Sequence, residues 1–236
     1  KFMYNFYTEV VANSKAGLKA YNQWGKKGRK VLYNGFNENR LPKESKDKLR
    51  YNLGMEDKFT ITMVGSMGSS KDQRTFIYAA NQVIKEKSDI QFILIGDGPK
   101  KYEYEKLVES LKITRSVYFT GEVNNPELYL CATDLSVLCS ASWHGEGIPN
   151  VVLESMAAGT PVIATNNGGT KEILINNFNG YLIKNGDYNR IAKYILRLKN
   201  DKTLLKQLGK NGRLDAEKRF SIDKMKKEVI NILSKR

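Results

Sequence analysis

Apolar and polar positions alternate along the middle of the chain in two distinct rhythms. Short, nearly uninterrupted apolar runs stand at "FTITMVG" (59–65), "IQFILIG" (90–96), "VYFTG" (117–121), "DLSVLCS" (134–140), "PVIAT" (161–165) and "GYLI" (180–183). Four to seven residues of this kind read as strands buried on both faces. Between them the apolar residues fall at helical spacing. In "SKDQRTFIYAANQVIKEK" (70–87) they are Phe76, Ile77, Ala80, Val83 and Ile84. "PKKYEYEKLVESLK" (99–112), with Pro99 in the first turn, Pro126–Ala132 and 149–158 repeat the pattern, with Pro149 as the first helical residue. Strands alternating with helices predict an α/β fold, a Rossmann-like parallel sheet with helices on both faces. From Asp187 onward the rhythm is helical alone, with breaks at Asn200–Asp201 and "RFS" (219–221), which predicts a helical C-terminal tail. At the head, "EVVANS" (9–14) leads into a helix through Tyr21, and "KVLYNG" (30–35) reads as a strand. The chain opens in mid-pattern, which predicts a piece of something longer.

Composition narrows this little. The 236 residues are 41% hydrophobic and 27% charged, ordinary for a globular protein, and the apolar runs are too short to cross a bilayer. The start lacks the apolar core and cleavage site of a secretory signal, so the expected location is cytoplasmic. Cys131 and Cys139 lack metal-ligand spacing and read as buried, reduced core thiols. A single histidine, His144, rules out a two-histidine centre within the chain. The formal charge of +14 attracts any polyanion. Its lysines are spread over many predicted helices, among them 26–30, 43–50 and 224–228. There is no zinc-knuckle spacing and no aromatic RNA-binding box, so the charge alone names no partner; it fits a solvated surface first, then an acidic membrane face or an acidic substrate.

Candidate chemistry collects at the carboxyl ends of the strands, where open parallel sheets bind ligands. "VGSMGSSKD" (64–72), "IGDGPK" (95–100), "FTGEVNN" (119–125), "CSASWHGEGIPN" (139–150) and "ATNNGGTKE" (164–172) all carry glycine and together outline one cleft. Lys71 opens a helix, a place suited to phosphate, although a surface lysine fits the same position. Neither a Walker loop nor a dinucleotide fingerprint is present. In "GEGIPNVVLESMAAGTPVIAT" (145–165), Glu146 precedes a helix and Glu154 lies in its second turn. The free amides of Asn150 and Val151 between them can receive a phosphate, and carboxylates accept hydrogen bonds from paired hydroxyls. The plainer account makes Glu154 an exposed helix residue and Glu146 a partner of the helix dipole.

In order, "ANSKAG" (12–17), "VLYNGF" (31–36), "VGSMGSSKD", "LIGDGP" (94–99), "FTGEV" (119–123), "EGIPNVVLESMAAGTPVIA" (146–164), "GG-x-x-E" (168–172) and "NGYLI" (179–183) resemble a known family. That family is the retaining, nucleotide-sugar-dependent glycosyltransferases of the GT-B fold, glycosyl transferases group 1. The resemblance implies the C-terminal, donor-binding half of such an enzyme. Residues 1–29 would end the acceptor domain or linker, 30–218 form the nucleotide-sugar-binding domain, and 219–236 the closing helix. It also implies that Glu146 holds hydroxyls of the transferred sugar with the backbone of Gly147 and Ile148. Asn150 and Val151 would bind the diphosphate, Glu154 the ribose, and Val123 the nucleobase, in a site that includes Gly65 and Ser66. Lys71 would neutralise the leaving diphosphate, with no metal and no cofactor beyond the nucleoside-diphosphate sugar substrate. Ser66 stands where the family carries an arginine, so Arg74 or a shifted loop supplies the second charge. His144 lines the sugar pocket or is structural, and Glu172 is read as the N-terminal charge of its own helix. The implied partners are a nucleotide-sugar donor, an absent N-terminal acceptor domain and an acidic membrane surface, with hexosyl transfer to a surface polysaccharide or glycolipid. An epimerase sharing the fold and a basic nucleic-acid-binding protein are the alternatives.

Overall fold

A computed structural model describes residues 9–145 and 147–234. At the head, β1 (Val10–Ala12), α1 (Lys15–Ala20) and β2 (Arg29–Val31) form a small βαβ unit with a two-stranded parallel sheet. A 3₁₀ turn (Glu38–Arg40) and α2 (Lys46–Asn52) lead into the main body. There β3 (Phe59–Val64), α3 (Gln73–Glu86), β4 (Ile90–Ile95), α4 (Lys101–Ser110), β5 (Val117–Gly121) and α5 (Pro126–Ala132) make the first half. The second half runs through β6 (Leu135–Leu138), α6 (Asn150–Ala157), β7 (Val162–Thr165), α7 (Thr170–Ile173) and β8 (Gly180–Ile183). Three helices close the chain: α8 (Tyr188–Asn200), α9 (Lys202–Phe220) and α10 (Ile222–Leu233). Among the described residues no helix is long and apolar enough to cross a membrane.

The main sheet has six parallel strands in the order β5-β4-β3-β6-β7-β8. All six residues of β4 are buried, which explains its unbroken apolar sequence. Successive residues of one strand feed opposite faces of the sheet. Ile163 packs with Phe76, Phe92 and Ile195 under α3 and α8, whereas Val162 and Ala164 pack with Leu153, Met156 and Phe220 under α6 and α9. The helices begin where short polar side chains can take an orphan amide. Asp72, Asp187, Asp201 and Ser221 cap α3, α8, α9 and α10 through the N–H groups of Thr75, Arg190, Leu204 and Lys224. The strand order reverses between β3 and β6, and the chain therefore opens a crevice at the carboxyl ends of those two strands.

Five local expectations change. Pro149 is the extended residue before α6 (φ −73°, ψ 113°), not its first helical one, and its carbonyl accepts the N–H groups of Val152 and Leu153. Pro99 likewise lies in the turn before α4. Residues 26–30 are no helix, because Gly25 (φ +81°) and Gly28 (φ +72°) turn the chain through the left-handed region before β2. Cys139 is fully buried, but Cys131 is only half-buried; both are free thiols. The strand expected over 30–35 ends at Val31. The remaining stretch presses onto α10, where a Cβ on Gly35 would stand 2.8 Å from Ile222 Cα.

Candidate functional site

The crevice between β3 and β6 is built from their two following loops, stitched edge to edge. Asp72 N–H donates to Cys139 O (2.9 Å) and Ala141 N–H to Ser70 O (3.0 Å), while Lys71 and Ser140 pair as an antiparallel bridge. Lys71 therefore sits at the seam. A Cβ on Gly65 would lie 3.3 Å from Lys71 Cγ, so the aliphatic stem of the lysine runs over the bare glycine backbone. Gln73 Nε2 donates to Ser66 O (2.9 Å) and holds the loop against the start of α3.

On one side of this seam a cavity of about 380 Å³ is lined by Gly65, Ser66, Gly96, Asp97, Glu122 and Val123, among others. Its floor tolerates only glycine at position 96, where φ is +132° and a Cβ would come within 2.3 Å of Gly65 O. The Gly98 amide and the Lys101 ammonium hold the Asp97 carboxyl below its ordinary pKa.

The loop from β6 to α6 is pinned from several elements. Asn167 Nδ2 donates to Ala141 O (2.8 Å) and His144 O (3.2 Å), and Asn185 Nδ2 donates to Ser140 O (2.7 Å). Glu146 lies outside the described residues. Gly147 meets the amide of Asn13, since a Cβ there would stand 2.6 Å from Asn13 Oδ1. Asn34 Nδ2 donates to Asn150 Oδ1 (2.7 Å) at the first residue of α6. Among the described residues no side chain caps that helix, and its first turn holds no acid. Ile148 is buried in the apolar cluster under α6, with Val151 partly buried against it.

Glu154, one turn further, lines a second cavity of about 410 Å³ with Asn34, Arg40, Asn150 and Met225. Burial pushes its carboxyl pKa up, the nearby Glu127 pushes it further, and Arg40 opposes both. Glu127 is itself only 2% exposed and forms an ion pair with Arg40.

Of the residues singled out in the sequence, Gly65, Ser66 and Val123 thus share one cavity, Asn150 and Glu154 another, and Lys71 lies between strand ends against Gly65. Arg74 does not reach the Ser66 cavity; it is ion-paired with Glu103 and lines a third cavity with Lys71. Glu172 does more than expected. It stands in the first turn of α7, as read from the sequence, and its Oε2 and Oε1 also accept the N–H groups of Lys15 (2.9 Å) and Ala16 (2.8 Å), capping α1. Tyr33 Oη also donates to it (3.0 Å), and burial together with this carboxylate raises the Tyr33 pKa to about 12. Asn13, Asn34 and Asn167 escaped sequence reasoning; the only signal was asparagine within or beside each glycine-containing motif.

Residues 45–215 match the family model described as glycosyl transferases group 1. The chain is 34% identical over 180 residues to a protein named EpsD in Bacillus subtilis (strain 168), covering 76% of this chain and 46% of that one. It is 28% identical over 196 residues to N-acetyl-alpha-D-glucosaminyl L-malate synthase of Bacillus anthracis, covering 83% and 50%. Among solved structures, Anabaena Alr3699/HepE in complex with UDP-glucose superposes with a TM-score of 0.89 at 28% identity, over 98% of this chain and 65% of that one. The chain spans about half the length of the curated relatives it matches.

Proposed function

The chain belongs to the glycosyl transferases group 1 family, and from that premise we propose that it is the donor-binding part of a retaining enzyme moving a hexosyl group from a nucleoside-diphosphate sugar to a glycan or glycolipid. One observation carries the assignment: α6 enters the switch-point crevice with an N-terminus that no side chain among the described residues caps, and Glu154 stands one turn behind it. Unpaired amides and the positive end of a helix dipole suit a diphosphate, and a carboxylate beside them suits the ribose diol. The cavity holding Gly65, Ser66 and Val123 takes the nucleobase end, and the UDP complexes of the Anabaena relative favour uridine. Lys71 neutralises the diphosphate as its bond to the sugar C1 breaks, when the departing charge is greatest. Glu146 holds sugar hydroxyls with the backbone of Gly147 and Ile148, and no metal is needed.

The relatives' doubled length supports an acceptor domain outside this chain, with residues 1–29 leading from it. A role in surface polysaccharide synthesis at the inner membrane face is supported by the +14 charge, which favours peripheral contact with acidic lipid.

Calorimetry with UDP, GDP and ADP tests the reading. Selective UDP binding is expected, with Glu154→Ala weakening it about 10- to 100-fold, the worth of one hydrogen bond to a charged group. Burial and the nearby Glu127 raise the Glu154 carboxyl pKa, so it takes up its proton at a higher pH than a free glutamate does. UDP affinity should therefore fall as pH drops from neutrality through that raised pKa, and Glu154→Gln should flatten this dependence. Equal binding of all three nucleotides, or none, would sink the assignment.

A further inference from the structure

On the far side of Lys71 from the nucleotide cavity lies a third cavity, of about 400 Å³, within the roughly 300–1,000 Å³ range of small-ligand clefts. Its lining includes Trp143, Lys71, Arg74, Lys100, Ser142 and Asn185. Trp143 is 74% exposed, an unusual state for the largest apolar side chain. Loose attachment does not account for it. The loop that carries it is tied down by the bonds from Asn167 and Asn185 and by His144 N–H to Ala141 O (3.1 Å). The loop backbone is held, and the indole it carries borders a polar cleft.

The charges around it are unequal. Asp72 is engaged by the N–H (3.0 Å) and hydroxyl (2.5 Å) of Thr75, and Glu103 pairs with Arg74. Among the described residues Lys100 has no carboxylate partner, and it gives the cleft a cationic rim.

We propose that this cavity is a saccharide site, in which a sugar ring lays its C–H face on Trp143, its hydroxyls meet Asn185 and Ser142, and an acidic group on the same glycan pairs with Lys100. An aromatic face is electron-rich and attracts the weakly positive C–H hydrogens of a pyranose, while the polar rim takes its hydroxyls. Lys71 lines this cavity and covers Gly65 of the nucleotide cavity, so one residue forms the wall between them. The occupant, if the donor assignment above holds, is the acceptor glycan, brought to the donor diphosphate across that wall.

The chain has two tryptophans, Trp24 and Trp143, so Trp24→Phe leaves Trp143 as the only indole emitter. In that background, titration with tri-galacturonate should change Trp143 emission saturably. Lys100→Ala should weaken tri-galacturonate at least 5-fold and leave maltotriose unchanged. By calorimetry Trp143→Ala should abolish binding of both saccharides, with an unchanged melting temperature and unchanged UDP affinity. Absence of saturable binding by either saccharide, or wild-type binding in Trp143→Ala, would overturn the proposal; so would equal loss of both saccharides in Lys100→Ala. UDP binding without saccharide binding removes this site alone, whereas saccharide binding without UDP binding supports this site and removes the donor assignment.

Discussion

Two helices, α1 and α6, begin within reach of the same glycine, Gly147, and treat their N-termini in opposite ways. At α1 every early amide is taken. Ser14 Oγ accepts Gly17 N–H (2.9 Å), and the two oxygens of Glu172 take Lys15 and Ala16 (2.9 and 2.8 Å). Ser14 is fully buried, so an unpaired donor there would have been costly. At α6 the preceding residue is a proline with no side-chain acceptor, and no side chain among the described residues caps the first turn. Among the described residues the N–H groups of the exposed Asn150 and of Val151 meet no acceptor. A terminus satisfied from within only builds the fold. One left open at a switch point, with Glu154 behind it, is where the donor diphosphate is proposed to sit. Glu172 and the Asn13 contact with Gly147 lock the first terminus beside the second, so the closed helix is the abutment for the open one.

The largest break in this contrast is Glu172→Ala. It strips the acceptor from Lys15 N–H, Ala16 N–H and Tyr33 Oη together, and hydrogen bonds to a charged group are each worth about 1.5–3 kcal/mol. Partial rescue by water leaves an expected loss of about 3 kcal/mol in denaturant unfolding. A loss below 1 kcal/mol would mean that the cap is ornamental. Next in size is Gly169→Ala. The backbone at Gly169 is ordinary (φ −80°), so alanine is conformationally allowed, but its Cβ would stand 2.5 Å from Gly147 O. Overpacking of this kind costs about 1–3 kcal/mol. It should also weaken UDP, because the strand of chain that must move leads directly into α6. Calorimetry at a temperature where the variant is folded separates the two effects.

Legibility in the sequence followed the range of the determining contacts. The bounds of α5 and β8 were readable because Pro126 and the turn before Gly180 are local signals. The six strands, their parallel sense and the helical tail followed from periodicity alone. Pro149 was misplaced by one residue because a missing N–H fits the cap and the first helical position equally well. Residues 26–30 read as helical, but positive φ at Gly25 and Gly28 turns the chain there and β2 already begins at Arg29. Glu172 could not have been read from its neighbours, since its partners stand 156 and 157 residues away. The same holds for Arg40 beside Glu127 and for Asn34 on Asn150. Glu154 and Lys71 stood out through their motifs, but the burial of one and the seam position of the other are products of packing.

The finest test converts the open terminus into a copy of the closed one. Asn150→Asp places a carboxylate at the first residue of α6 and keeps the oxygen that accepts from Asn34 Nδ2. An acid in the first turn interacts favourably with the dipole by about 0.3–1 kcal/mol at an exposed position. Stability at neutral pH should therefore rise by about 0.5 kcal/mol. The gain should fade as pH falls through the ordinary carboxylate range, because only the ionised form complements the dipole. Nucleotide affinity should move the other way, since the new charge repels a diphosphate and occupies its field; an approximately 3-fold or greater loss of UDP binding is expected, smaller at high salt. A variant that gained stability and kept full UDP affinity would show that the N-terminus of α6 is open for some reason other than the diphosphate.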